Sequence, residues 1–147
     1  AIHPKDPSCR YIALTDYSGW RSTDGGATWA YRPEGNPWHN NTYAFALDPE
    51  RTERVWAACS VTHDLPTWRY QADLGSPNYV GGVVSSTDGG ENWTPVAKGA
   101  GLPRKAVTDI WLDPSSPETS RRRWGWGVAR KEPVVPACRA GAPDMIM

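Results

Sequence analysis

Ser22-Thr23-Asp24-Gly25-Gly26-Ala27-Thr28-Trp29 returns further along the chain as Ser86-Thr87-Asp88-Gly89-Gly90-Glu91-Asn92-Trp93. Both stretches satisfy Ser-x-Asp-x-Gly-x-(Thr/Asn)-Trp, and each follows a β-like segment. The pair therefore marks an internal repeat, which decides architecture ahead of any other feature. Asp-Gly followed by a second Gly is a hairpin signal, because a tight turn needs positive φ and glycine reaches it at little cost. The aspartate entering the turn can accept hydrogen bonds from N–H groups that the turn takes out of the strand ladder. Ser22 with Thr28, and Ser86 with Asn92, can add side-chain bonds across the mouth. Trp29 and Trp93 then open the returning strand with a large apolar face.

A second phrase also repeats. Ala1-Ile2-His3-Pro4-Lys5-Asp6-Pro7 leads into Arg10-Tyr11-Ile12-Ala13, and Ala46-Leu47-Asp48-Pro49-Glu50-Arg51 leads into Val55-Trp56-Ala57-Ala58. Trp111-Leu112-Asp113-Pro114-Ser115-Ser116-Pro117 begins a third copy. Each copy reads as an apolar strand end, a polar turn with proline, and a strand carrying an aromatic residue. Pro4, Pro49 and Pro114 stand 45 and then 65 residues apart. Repeat units of this kind run to about 40–50 residues, so the longer step implies an insertion of about 20, placed at 60–80. Strands are expected at 11–14, 20–22 and 29–32, then at 43–47, 55–59, 82–86 and 93–96, and again at 107–112. No segment sustains a period of 3.6, and 14 Gly with 14 Pro would break most long helices. The chain reads as all-β.

The repeated corner resembles the Asp-box repeats of sialidase-like β-propellers. There the motif staples the turn between the third and fourth strands of a blade, usually away from the catalytic face. The resemblance implies that Ser22, Asp24, Gly26, Thr28 and Trp29, with Ser86, Asp88, Gly90, Asn92 and Trp93, are folding residues. It also implies a partial β-propeller of about two to two and a half four-stranded blades. Blade 1 covers about 1–45, blade 2 about 46–106 with the insertion, and blade 3 begins at 107–123. Propellers close with typically about 4–8 blades. An open arc leaves raw strand edges that recruit other chains, so the chain reads as a fragment whose remaining blades are missing, or as one of several copies forming a ring. Residues 124–147 shift to Arg, Pro, Ala and Gly without alternation and hold no third corner. An irregular tail is expected there, either frameshifted from about Arg123 or natively disordered.

The 147 residues are 39% hydrophobic with a formal net charge of +0, which gives no general attraction to nucleic acid or anionic membrane. Nothing approaches the apolar length of a membrane-spanning helix. No signal peptide or initiating methionine is present, so residue 1 reads as an internal cut. Cys9, Cys59 and Cys138 lie far apart without a Cys-x-x-Cys motif, and His3, His39 and His63 share no ligand spacing, so neither a metal nor a cofactor is expected. Cys9 and Cys59 flank neighbouring strands and are either a disulfide of a secreted protein or two idle thiols. No Gly-x-Ser-x-Gly elbow and no phosphate-cradling glycine loop occurs. Of nine tryptophans, Trp29, Trp56, Trp93 and Trp111 suit blade packing, while Trp38 and Trp68 suit sugar stacking.

Carboxylates remain as candidate chemistry. Tyr11-Ile12-Ala13-Leu14-Thr15-Asp16-Tyr17-Ser18-Gly19, preceded by His3-Pro4-Lys5-Asp6-Pro7, resembles the first-blade phrase of family 74 glycoside hydrolases, the xyloglucan-cleaving propellers. Tyr11, Ala13, Thr15 and Asp16 match, whereas Tyr17-Ser18-Gly19 departs from the x-Gly-Gly of that phrase. The resemblance implies that Asp16 is one of two catalytic carboxylates, with its partner in a later half. Read without the resemblance, Asp16 caps a strand end. The insertion places His63, Asp64, Trp68, Tyr70 and Tyr79 at one end of the propeller, where with Trp38 they would bind sugar faces and hydroxyls. A sialidase would need an arginine triad gripping a carboxylate, and Arg10, Arg21, Arg32 and Arg69 fit no such motif.

The expected function is that of a carbohydrate-active propeller, a glycoside hydrolase of xyloglucanase-like or exo-α-sialidase-like type, inactive as this piece alone. Its partner would be an oligo- or polysaccharide and its location extracellular or periplasmic. The alternative is a non-catalytic protein- or glycan-binding propeller, like sortilin-like receptors or photosystem-assembly factors.

Overall fold

The computed structural model describes residues 1–63, 80–96 and 106–112, together with the backbone of 123–127 and 138–139. Among these residues there is no helix, and none that could cross a membrane. The chain reverses at Asp48-Pro49, at Asp24-Gly25-Gly26 and at Asp88-Gly89-Gly90, and the runs beside these turns become strands. β1 (Arg10–Ala13), β2 (Gly19–Ser22) and β3 (Ala30–Tyr31) form a first sheet, with Ile2 bridged to Arg10 ahead of β1. β4 (Asn41–Leu47), β5 (Val55–Ser60), β6 (Gly81–Ser86) and β7 (Thr94–Pro95) form a second in that order. β8 (Asp109–Leu112), β9 (Arg123–Gly127) and β10 (Cys138–Arg139) form a third. All the pairings are antiparallel. Strand β1 packs against β4, and β4 against β8.

The repeat is visible in register. Arg10 pairs Ser22 in the first sheet as Val55 pairs Ser86 in the second, so β1, β2 and β3 correspond to β5, β6 and β7. The counterpart of β4 in the first unit is only the bridge at Ile2, reinforced by Tyr11 N–H donating to the Ala1 carbonyl at 2.9 Å.

Strand β5 is buried along its whole length because both its faces are covered. Val55, Ala57 and Cys59 turn toward the first sheet and, with Val84 and Trp93 of their own unit, form one layer with Tyr11 of β1. Tyr11 and Trp93 each lean on Phe45, with ring centroids 5.3 and 6.1 Å away. Trp56 and Ala58 turn the other way, onto Ala46, Val83, Val107 and Ile110. Each large side chain buried in these two layers contributes about 1.5–3 kcal/mol of apolar transfer free energy.

Three expectations need correction or decision. The irregular tail does not begin at 124: the backbone of β9 pairs Ile110 with Trp126 and Leu112 with Trp124, and the Trp-Gly-Trp-Gly alternation supplies the strand period of two. Trp111 is not packed inside, since Ile110 takes the buried face and leaves Trp111 37% exposed. Cys9 and Cys59 are free thiols, with burial of Cys59 pushing it up to about 11.

Candidate functional site

The two ends of the sheets differ in chemistry. One end carries the repeated corners. In the first, the Ser22 hydroxyl donates to Asp24 Oδ1 at 2.7 Å and accepts the Gly26 N–H at 2.8 Å. Asp24 also accepts the Thr28 N–H at 2.9 Å and its hydroxyl at 2.6 Å. The second corner repeats this almost bond for bond. Ser86 donates to Asp88 at 2.6 Å and accepts Gly90 N–H at 2.7 Å, while Asn92 gives Asp88 its backbone N–H at 3.0 Å and its amide at 2.9 Å. Gly25, Gly26, Gly89 and Gly90 all take φ between 71 and 93°, the region where a Cβ is costly. The Thr28 hydroxyl, the Thr28 N–H and the Ser22 hydroxyl hold Asp24 well below the usual carboxylate range. Burial pulls Asp88 upward, but the Asn92 N–H, the Ser86 hydroxyl, the Asn92 amide and the Glu91 N–H outweigh it and hold it at about 2. Both carboxylates are filled with donors from their own turn, which suits holding a corner rather than moving a proton.

The opposite end gathers the β1–β2 turn and the β5–β6 connection. Asp16 and Ser18 sit at φ 67 and 61°, an uncommon choice for side-chain-bearing residues that costs about 1–2 kcal/mol each. The turn is fastened to the start of β4. Ser18 N–H donates to the Asn40 carbonyl at 3.2 Å, Thr42 N–H to the Leu14 carbonyl at 3.2 Å, and Asp16 N–H to Asn41 Oδ1 at 2.7 Å. The insertion leaves and returns beside this turn, with Val61 N–H donating to the Val80 carbonyl at 3.0 Å. Its first residues bring His63 Nδ1 to 3.6 Å from Asp16 Oδ2, both side chains about half exposed.

An open cleft of about 240 Å³ lies against this turn, lined by Asp16, Tyr17, Ser18, Trp20, Tyr31, His39 and Asn40. Trp20 and Tyr31 are cross-strand partners with ring centroids 5.7 Å apart. The Tyr31 hydroxyl shares a hydrogen bond with His39 Nδ1 at 3.0 Å, and Tyr17 stands 71% exposed at the rim.

The structure thus brings Asp16 and His63 together. Asp64, Trp68, Tyr70 and Tyr79 lie outside the described residues. Trp38 is a correction: it is 9% exposed, inside the layer between the first two sheets, with its ring lying over Gly82. Its side chain fills the space that a glycine on β6 leaves open, so it is not available to stack on a sugar. Sequence reasoning missed Tyr31, His39 and Asn41. The signal was the polar run His39-Asn40-Asn41 directly ahead of an apolar strand, a place where buried amides tend to tie loops down. No group of three or more His, Cys, Asp or Glu residues among those described could hold a metal ion.

No family model matches the chain, and neither does any curated protein sequence. Solved structures do. An ancestral GH74 enzyme matches with a TM-score of 0.56 at 18% identity, over 86% of this chain and 12% of that one. The GH74 enzyme of Niastella koreensis gives 0.54 at 19%, over 86% and 18%. The GH74 xyloglucanase of Xanthomonas campestris gives 0.54 at 20%, over 94% and 19%. The fold of this chain is therefore that of a segment of these enzymes, and the chain spans less than a fifth of their length.

Proposed function

We propose that this chain is part of an Asp-box β-propeller glycoside hydrolase acting on a xyloglucan-type polysaccharide, with Asp16 as one of its two carboxylates. The observation that carries the reading is the position of Asp16. In a fold shared with a GH74 xyloglucanase, it is a half-exposed carboxylate at the end opposite the corners, beside His63 and against the cleft. Unlike Asp24 and Asp88, its side chain is not filled by donors of its own turn. Glycoside hydrolysis needs two carboxyl groups across the scissile bond, one giving a proton to the leaving oxygen and one serving as base or nucleophile. Asp16 supplies one; the second lies on blades beyond this chain. The substrate is a polymer met outside the cell, so the protein acts there.

Further blades are supported by an uncovered face. Counting from the corners, Ile12 and Trp20 occupy the positions that Ala57 and Val84 hold in the second sheet. Ala57 and Val84 are buried under the first sheet, whereas Ile12 is 39% exposed. The face of Ile12, Trp20 and Tyr31 is thus where a preceding blade docks, and the cleft beside Asp16 lies at that junction.

The test is hydrolysis of xyloglucan and a β-glucan panel by the full-length protein and its Asp16→Asn variant. Loss of a general acid or base lowers the rate by about 10²–10⁴. A folded variant with unchanged activity removes Asp16 from the site.

A further inference from the structure

We infer that Asn41 is a positioning residue for Asp16. It locks the left-handed backbone that aims the carboxylate at the open end of the sheets. The inference rests on the reading of Asp16 as a reacting carboxylate.

Asn41 is the first residue of β4 and is 0% exposed, an unusual place for an amide unless its groups are engaged. Both ends are. Oδ1 accepts the Asp16 N–H at 2.7 Å, and Nδ2 donates to the Ser60 carbonyl at 3.1 Å. One side chain therefore joins the turn that bears Asp16 to the end of β5, from which the chain runs on to His63. The Asp16 backbone at φ 67° is one that an L-residue leaves readily unless surrounding bonds over-determine it. The bond to Asn41 is made by the Asp16 backbone itself, while the neighbouring backbone bonds hold Leu14 and Ser18. Without it, the turn can relax toward negative φ, swinging the Cβ of Asp16 to the other side of the chain and carrying the carboxylate away from His63.

The role predicts a particular kinetic signature. Misplacing a reacting group by about 1 Å costs about a hundredfold in rate, while substrate held by distant subsites still binds. Asn41→Ala in the full-length protein should lower kcat on xyloglucan by about ten- to a hundredfold with little change in KM. Adding Ser18→Gly, which eases the second left-handed position of the turn, should return part of the lost kcat. A merely structural amide would not be rescued in this way. Amide exchange measured on this chain gives a second reading that needs no activity. The Asp16 N–H should be protected from exchange, although it lies in a surface turn, and should lose that protection in Asn41→Ala.

An unprotected Asp16 N–H in the unaltered chain overturns the inference, as does a folded Asn41→Ala with normal kcat in a protein that Asp16→Asn inactivates. Should Asp16→Asn itself keep full activity, the functional reading fails first and takes the catalytic role of Asn41 with it. That failure is told apart because it shows in the Asp16 variant.

Discussion

The Tyr11 hydroxyl donates to the Gly89 carbonyl across 2.9 Å, joining a strand of the first sheet to the glycine corner of the second. The phenol is buried, and the same corner is closed from below by Gly89 N–H donating to the Glu53 carbonyl at 2.7 Å. A corner that looks local in sequence is thus a docking point between sheets.

Removing that hydroxyl should therefore cost stability without cavity formation. Tyr11→Phe leaves the ring on Phe45 and strands the Gly89 carbonyl, a loss of about 1 kcal/mol, read as a lower urea midpoint. Burial raises the Tyr11 phenol from its ordinary value of 10.0 to about 12. A group raised on folding contributes stability below its unfolded value and loses it as pH climbs to the folded one. Unaltered chain should therefore weaken between pH 10 and about 12, and Tyr11→Phe should flatten that slope.

Acid should act through the corners. Asp88 is held at about 2, against an ordinary 3.8. Depression on folding means a contribution present above the unfolded value and lost as pH falls through the folded one. Urea midpoints should decline between pH 4 and 2, and Asp88→Asn, which cannot titrate, should show a shallower decline from a lower starting point.

Gly35 separates crowding from backbone strain. Gly25 and Gly35 both have positive φ, at 73 and 80°, so alanine carries a similar conformational cost of about 1–2 kcal/mol at each. A Cβ on Gly25 would meet only the Arg10 guanidinium at 3.8 Å, whereas on Gly35 it would fall 2.1 Å from the Trp93 carbonyl oxygen. Gly35→Ala should be the more destabilising by several kcal/mol or prevent folding, measured by chemical denaturation of the two variants side by side.

Glu91 reaches both Arg21 of β2 and Arg32 just after β3 and is 47% exposed. Screening by water limits such pairs to at most about 1 kcal/mol. Glu91→Gln should lower the midpoint slightly at low salt, and the difference should fade toward 1 M salt, where the Debye length is about 3 Å.

Period and turn chemistry made the strands legible. Val55–Ser60 and Gly81–Ser86 differ from their expected bounds by a residue, because Asp-Pro and Asp-Gly-Gly mark reversals through backbone preferences that act locally. The corners were legible as turns whose aspartate accepts N–H bonds from its own motif, whereas the serine and threonine hydroxyls meeting that carboxylate and the bonds to Tyr11 and Glu53 were not. What escaped was set at a distance. Trp38 reads as a loop aromatic, and only Gly82 on another strand shows that there is room to bury it. Asn41 reads as one more polar residue before a strand. Its importance depends on Asp16 and Ser60, which the fold brings to it from either side. Trp124 and Trp126 sit in a run whose Arg and Pro content masks a two-residue alternation that pairs with β8.

The side-chain bonds from Ser22 and Asp24, and from Ser86 and Asp88, each span no more than four residues, while Tyr11 meets Gly89 across 78. Chain closure over so few residues takes about 10–100 ns, far faster than searches over long separations. Each glycine elbow can thus be set while the emerging polypeptide is still short. Sheet-to-sheet docking, with Tyr11 reaching a carbonyl 78 residues away, then joins ready-made pieces.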